Sequence, residues 1–227
     1  MNFKTALIIG STGLTGQECL KLLLESDQYN KVIALNRAGK KIAGNTAAKN
    51  NKLETVFADF SHLNDYKDLI KAEDVYCAIG TTIAKAGSQE AFRHVDFDIP
   101  FTVAQIAKLN GAKKFILVSS LGANSNSGVF YNRVKGELED ALTKLNYGSL
   151  IIFRPSILLG ERKETRSGEA VGQFIAGKFA FLFSGPLKKY RGMPVSLLAK
   201  AMVKSAAENW VGTRIIENSE IFTLTEG

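Results

Sequence analysis

Short, continuously apolar runs recur along the chain and alternate with segments in which apolar residues have helical spacing. Such runs are typical of strands buried on both faces, because a half-exposed strand alternates apolar and polar positions. Strands are predicted over residues 5–9, 31–35, 53–57, 74–79, 114–119 and 150–153, with a candidate last strand at 214–216. Helices are predicted around residues 19–24 and over 65–70, 89–109, 129–145 and 195–209, with Pro100 as a kink or late start.

This alternation predicts an α/β fold with a doubly wound parallel sheet of the Rossmann type. A chain of 227 residues suits one domain, so residues 1–227 are expected to form a single dinucleotide-binding unit. The tail from about 156 to 227 is too short for a comfortable core of its own. We therefore expect it to form a small C-terminal cap on the substrate side. Its apolar stretch at 171–183 suits core, a substrate pocket or a partner surface.

Composition excludes several classes of protein. The net charge is +7, but the lysines are scattered and no arginine-rich arm occurs, so we expect a solvated basic surface and no nucleic-acid partner. No apolar run reaches the ~18–20 residues of a membrane span. The only cysteines are Cys19 and Cys77, which excludes a disulfide framework and a metal-ligand cluster. Without a signal-like segment, a reducing cytoplasm is the expected location.

A glycine loop follows the first predicted strand, with the spacing G-x-x-G-x-x-G from Gly10 to Gly16. Glycines here allow a tight turn and close approach to a pyrophosphate, while the following helix N-terminus supplies amide donors. A turn that binds nothing is the alternative. The residues expected to hold the pyrophosphate are Gly10, Ser11, Thr12, Gly13, Leu14 and Gly16.

Positions just past the next three strands distinguish the possible dinucleotides. Arg37 follows the second strand, where a carboxylate would suit NAD, and a guanidinium suits the 2′-phosphate of NADP. NADP is therefore predicted over NAD, unless Arg37 points only at water. Asp59 and Phe60 follow the third strand, where a carboxylate can accept from the adenine amino group or simply cap a turn. At the end of the fourth strand, Ile79 and the following Gly80 and Thr81 are expected to let the cofactor backbone pass, or to form a plain turn.

The candidate proton-transfer pair is Tyr131 and Lys135, four residues apart and so on one helix face. An ammonium group beside a tyrosine favours the phenolate, which makes the tyrosine a better acid near neutral pH. The Tyr131–Lys135 spacing alone is weak evidence for a catalytic site, because many unrelated helices contain it. The neighbouring segments strengthen that evidence. Ser119 and Ser120 end the preceding strand, and Pro155 follows the next one.

Several segments together carry a family resemblance. They are Gly80-Thr81-Thr82 with Lys85-Ala86-Gly87, Val95-Asp96, Ser119-Ser120 with Gly122-Ala123, Tyr131 with Val134-Lys135-Gly136-Glu137, and Phe153-Arg154-Pro155. The chain resembles short-chain dehydrogenases/reductases of the atypical or extended type, and within them the oxidoreductases that include the human Tat-interacting protein of 30 kDa. Asp96 departs from the pattern, because many extended relatives have asparagine there.

The resemblance implies roles for individual residues. Tyr131 would be the general acid or base, and Lys135 would assist it and hold the nicotinamide ribose. Ser120 would orient the substrate oxygen, with Ser119 as the alternative and as a neighbour of the cofactor. The residues implied to contact the nicotinamide are Pro155, Ser156 and Ile157.

Three functions are compatible with these features. The first is an NADP-dependent oxidoreductase that reduces a carbonyl or similar group of a small-molecule substrate. The second is a dinucleotide-binding redox sensor that regulates a protein partner, since a fold does not fix a function. The third is a cofactor-retaining epimerase or dehydratase, which the short tail disfavours. The retained Tyr131 and Lys135 favour an enzyme, and a homo-oligomer is left open.

Overall fold

The structure, a computed structural model, describes residues 4–39, 51–160 and 190–226. Seven parallel strands form the main sheet in the order β3-β2-β1-β4-β5-β6-β9. The strands are β1 (Lys4–Ile9), β2 (Tyr29–Arg37), β3 (Leu53–Ala58), β4 (Asp74–Cys77), β5 (Lys114–Val118), β6 (Ser149–Arg154) and β9 (Gly212–Glu217). A separate parallel pair joins β7 (Leu158–Leu159) to β8 (Met193–Pro194).

Helices cover both faces of this sheet. They are α1 (Leu14–Glu25), α2 (Ile83–Ala86), α3 (Gln89–Arg93), α4 (Ile99–Leu109), α5 (Phe130–Lys144), α6 (Val195–Ala207) and α7 (Asn218–Glu226), with a 3-10 helix at Leu63–Leu69 and a π-helical segment at His94–Asp98. One buried apolar cluster lies on each side of the sheet. The predicted doubly wound parallel sheet is therefore confirmed. Its central strands are mostly apolar because both of their faces are covered, whereas the edge strands β3 and β9 keep exposed positions.

The helix predicted over 89–109 is three consecutive segments instead of one. The backbone passes from α3 through the π-helical segment into α4, where Pro100 lies in the first turn. A proline is tolerated there because it has no N–H to pair, while the N–H of the preceding Ile99 bonds to the His94 carbonyl across the π turn. The wider π turn carries Asp96, which is 1% exposed. The single predicted helix was wrong at this point, and the wider turn places a carboxylate inside the protein.

The C-terminal part contributes to the main sheet. Strand β9 pairs with β6, and α6 packs against α1 within one buried cluster that includes Leu198, Met202 and Leu20. Helix α7 and the β7–β8 pair were not predicted. Three segments of interest in the sequence lie outside the described residues. They are the two lysines that follow Arg37 after a short turn (Lys40 and Lys41), the charged stretch 162–168 and the apolar stretch 171–183. The substrate-side cap therefore stays a prediction.

Helix α5 is fixed to the carboxyl edge of the sheet by two contacts. Gly136 lies against the turn after β5, and a Cβ there would come within 2.2 Å of the Ser125 nitrogen and 2.3 Å of the Asn124 carbonyl carbon. One turn further on, the Glu139 carboxylate is 4% exposed and accepts from Arg154 at the end of β6. These contacts determine where the N-terminal half of α5 lies over the sheet.

Replacing Gly136 by alanine is expected to destabilise the protein. Alanine favours helix by up to ~1 kcal/mol over glycine, but overpacking against backbone atoms costs about 1–3 kcal/mol. We expect a net loss in the free energy of unfolding, measured by urea denaturation. Gly128→Ala is the control, because a Cβ there meets nothing within 4 Å. A Gly136→Ala protein as stable as the control would contradict the close approach of α5.

Candidate active site

The glycine loop has the geometry of an anion cradle. Gly10 has φ +84°, and a Cβ on it would lie 2.6 Å from the Ala78 carbonyl, so the loop passes directly beside the chain leaving β4. A Cβ on Gly16 would lie 2.0 Å from the Gly10 oxygen, so α1 starts in contact with the turn. Gly13 precedes α1, and no side chain of the described residues caps that end. The first-turn amides of α1 therefore remain available to an anion.

This loop lies where the strand order reverses, between β1 and β4, which is where ligands of open α/β sheets bind. Ser11 donates to the Asn36 side-chain oxygen at 2.8 Å, which ties the loop to the end of β2. Asn36 is buried, and its amide nitrogen has no hydrogen-bond partner among the described residues. Asn36 was not among the predicted site residues. Arg37, the next residue, is exposed at the strand end.

The residues predicted around the adenine side lie in different environments. Asp59 is exposed after β3 and forms an ion pair with His62, whose Nδ1 is 3.0 Å from a carboxylate oxygen. The hydrogen bond with His62 lowers the pKa of Asp59, and the same bond raises the pKa of His62. Phe60, in contrast, is 8% exposed and packs into the core. Ile79 also packs against that core.

Lys135 and Asp96 form a buried ion pair beneath the end of β4. Their charged atoms are 2.7 Å apart, with side-chain exposures of 5% and 1%. The other Asp96 oxygen accepts from the Thr81 backbone N–H at 2.8 Å, and a Cβ on Gly80 would lie 3.3 Å from the carboxylate. Burial acts to lower the pKa of Lys135, but the charges of Asp96 and Tyr131 outweigh it and the pKa is raised. The ammonium group is therefore charged in the folded protein.

The two serines at the end of β5 are in different environments. The Ser119 hydroxyl donates to Glu139 at 2.5 Å, and Glu139 also pairs with Arg154 at 2.5 Å. The Ser120 hydroxyl is buried and has no hydrogen-bond partner in the described part of the chain. Ser119 is thus engaged in a structural network, whereas the Ser120 hydroxyl takes no part in it.

A cavity of about 470 Å³ opens at this edge of the sheet. Its described lining is Ser120, Leu121, Tyr131, Pro155, Ser156, Ile157 and Tyr190. Tyr131 is half-buried in the first turn of α5, and its ring packs on Phe92 with centroids 5.4 Å apart. The predicted serine, tyrosine and nicotinamide-side residues therefore meet in one cavity, with Lys135 on the same helix. Tyr190 was not predicted to line it.

Cys77 is fully buried within β4. Burial raises the pKa of Cys77 to about 12, so its thiol is a packed apolar group and not a nucleophile. Among residues 4–39, 51–160 and 190–226, no cluster of three potential metal ligands occurs. Within the same ranges, no helix is long and apolar enough to cross a bilayer.

Breaking the Asp96–Lys135 pair is expected to destabilise the protein strongly. Asp96→Asn or Lys135→Met leaves one buried charge unpaired, which typically costs about 3–5 kcal/mol. The double variant should lose clearly less than the sum of the two, because no lone charge remains. Urea denaturation of the four proteins at pH 7 measures this coupling.

The stabilisation that the Asp96–Lys135 pair contributes should depend on pH in a defined direction. Since the pKa of Lys135 is raised, its stabilisation is complete below the ordinary lysine pKa of ~10.4 and is lost only as pH rises through the raised value. The half-exposed pair Lys31–Glu54 is the control, with an expected coupling below about 1 kcal/mol. Additive losses at Asp96 and Lys135 would contradict a coupled pair.

A protein-family model and several known proteins match this chain in sequence. The family model described as NAD(P)H-binding matches residues 10–149. Protein HTATIP2 of Rattus norvegicus is 34% identical over 226 residues, which is 99% of this chain and 90% of the relative. The mitochondrial protein FMP52 of Candida albicans is 40% identical over 177 residues, 75% of each chain.

Solved structures show the same fold at low identity. A UDP-N-acetylglucosamine 4-epimerase from Methanobrevibacter ruminantium, in complex with UDP-N-acetylmuramic acid, superposes with a TM-score of 0.71 at 19% identity, over 96% of this chain and 77% of that one. The Bordetella bronchiseptica enzyme WbmH, in complex with NAD+, has a TM-score of 0.68 at 17% identity, over 95% and 76%. At such identities the likeness concerns the fold alone.

The comparisons also correct one expectation and confirm another. A cytoplasmic location was wrong, because the fungal relatives are named as mitochondrial proteins. The resemblance drawn from the sequence motifs is confirmed by a family model that covers more than half of the chain. The chain belongs to the NAD(P)H-binding, atypical short-chain dehydrogenase/reductase family, together with HTATIP2 and FMP52.

Proposed function

We propose that this protein is an NADP-dependent oxidoreductase that reduces a carbonyl or similar group of a small molecule. The observation that carries the proposal is the cavity at the carboxyl edge, where the Ser120 and Tyr131 side chains meet the Pro155–Ile157 turn. A family fold that binds a dinucleotide supports a redox reaction, and the retained tyrosine and lysine support chemistry beyond binding.

The residues present fit a dinucleotide. The Gly10 turn and the α1 N-terminus suit a pyrophosphate, and the unpartnered Asn36 amide lies beside the same loop. Exposed Arg37 would hold a 2′-phosphate through its guanidinium group. Lys135 would bind the nicotinamide ribose hydroxyls, and the turn from Pro155 to Ile157 would contact the nicotinamide ring.

When bound, the reduced nicotinamide supplies the hydride. The chain's own residues orient the substrate and move the proton. The free Ser120 hydroxyl donates to the substrate oxygen, and Tyr131 delivers a proton to that oxygen as the carbonyl becomes an alcohol. Lys135 stays charged because of Asp96, and it stabilises negative charge on Tyr131 after the proton has left. In the reverse direction Tyr131 acts as the base.

A mitochondrial setting is part of the proposal, on the strength of the names of the fungal relatives. A redox sensor acting through a protein partner is the second candidate. The unengaged Ser120 hydroxyl favours the enzyme over the sensor, since a sensor requires no group to orient a substrate oxygen.

Arg37 is expected to determine cofactor preference. Fluorescence titration should show tighter binding of NADPH than of NADH, and Arg37→Ala should weaken NADPH by about 10- to 100-fold, the value of a charge-assisted hydrogen bond. NADH affinity should stay nearly unchanged. Lys31→Ala is the matched control, because it removes one positive charge at the opposite end of β2, where Lys31 pairs with Glu54. Equal affinities of the wild type for both dinucleotides would remove the role of Arg37.

Tyr131→Phe is expected to abolish turnover while leaving NADPH binding intact. Loss of a general acid typically costs about 10²- to 10⁴-fold in rate. Consumption of NADPH is followed with a panel of aldehydes and ketones, alongside titration of the dinucleotide. Tyr66→Phe, on the 3-10 helix outside the cavity, is the control. Undiminished turnover in Tyr131→Phe would assign proton transfer to another group, and binding without turnover in the wild type would favour the sensor.

A further inference from the structure

Asn218 joins two separate segments that wall the cavity. It is the first residue of α7, directly after β9, and it is fully buried. Its side-chain oxygen accepts from the Ser156 backbone N–H at 2.8 Å, and its side-chain nitrogen donates to the Arg191 carbonyl at 2.8 Å. One amide group thus holds two stretches of chain that are far apart in sequence.

Further hydrogen bonds join the same two segments. The Ser156 hydroxyl also donates to the Arg191 carbonyl, at 2.5 Å, and the Met193 N–H donates to the Ile157 carbonyl at 2.8 Å. Beyond them, Leu158 pairs with Met193 in the short β7–β8 ladder. The turn after β6 and the segment around 190–194 therefore form one hydrogen-bonded unit with Asn218 behind it.

The chemistry of the site requires an amide. Ser156 N–H needs an acceptor and the Arg191 carbonyl needs a donor, and a side-chain amide is a small group that supplies both. A carboxylate would place a second acceptor against the Arg191 oxygen. An alanine would remove the acceptor of the partly buried Ser156 N–H and one of the two donors to the Arg191 carbonyl, which costs free energy.

The residues held in this way face the cavity. Ser156 and Ile157 come from the turn after β6, and Tyr190 comes from the other segment. The proposed function places the nicotinamide ring against this turn, whereas the adenosine half would lie at the ends of β2 and β3. A change at Asn218 should therefore affect one half of the dinucleotide and not the other.

We propose that Asn218 is a positioning residue that builds the nicotinamide-side turn and the Tyr190 segment into one rigid wall. This inference rests on the proposed function, because it takes the turn at 155–157 to meet the nicotinamide. Asn218 itself touches neither cofactor nor substrate. It acts through Ser156 and Arg191.

The test compares two ligands that differ only in the nicotinamide half. NADPH and 2′-phospho-ADP-ribose, which lacks the nicotinamide, are titrated by calorimetry into the wild type, Asn218→Ala and Asn36→Ala. Asn218→Ala should weaken NADPH by about tenfold, the effect of one or two lost hydrogen bonds, and should change 2′-phospho-ADP-ribose less than about twofold. Asn36→Ala, beside the phosphate loop, should weaken both ligands alike.

Equal weakening of both ligands by Asn218→Ala would show a general structural effect and overturn the inference, as would unchanged NADPH affinity. If Asn218→Ala does not fold, Asn218→Asp decides, because it keeps the acceptor for the Ser156 N–H, removes the donor to the Arg191 carbonyl and should weaken NADPH alone. A wild type that binds the two ligands equally well would show that the nicotinamide gains nothing from this wall. That result would overturn the proposed nicotinamide site itself, whereas the preceding ones leave it intact.

Discussion

The buried carboxylate of Glu139 is the interaction on which the geometry of the active site depends. At 4% exposure it has to be paired, because a lone buried charge costs several kcal/mol. Its partners come from two strands, Ser119 at the end of β5 and Arg154 at the end of β6, and Arg154 reaches on to Glu217 of β9. Helix α5 therefore cannot slide along the sheet without breaking an ionic network. Lys135 lies one turn before Glu139 on this helix, and Tyr131 lies two turns before it.

The Asp96 carboxylate is a second buried charge, and it changes the electrostatic environment of Tyr131 and Lys135. On sequence spacing alone, Lys135 acts on Tyr131 as a single cation. In the structure its ammonium group is held by Asp96, so the field at the tyrosine hydroxyl comes from an ion pair. An asparagine at position 96 could still accept from the Thr81 N–H, but it would leave the cation unbalanced. The carboxylate keeps the lysine protonated under burial, and it also reduces the lysine's net influence on its neighbours.

The sheet could be predicted because buried parallel strands are apolar on both faces, and that signal is local in sequence. The π-helical break within 89–109 could not, because its side chains keep a helical spacing while the backbone bonds change. Ser119 and Ser120 are adjacent and chemically identical, so only the distant Glu139 distinguishes them. Asn218 could not be identified from the sequence for the same reason, because its hydrogen-bond partner Ser156 is 62 residues away. Local patterns thus predict elements, whereas the assignment of individual polar groups depends on tertiary contacts.

The two halves of the proposed dinucleotide cleft are built in different ways, and this difference affects which of its residues can be substituted without loss of stability. Arg37 and the Asp59–His62 pair are exposed on the adenosine side, where charges are screened and replaceable without effect on the core. On the proposed nicotinamide side, Lys135 pairs with Asp96 and Glu139 pairs with Arg154, and Lys135, Asp96 and Glu139 are all buried. If Arg37 holds the 2′-phosphate as proposed, its substitution would therefore shift cofactor preference at little structural cost. Substitution at Lys135 alters folding stability together with chemistry, so the proton-transfer geometry is constrained by the same charges that hold α5 in place.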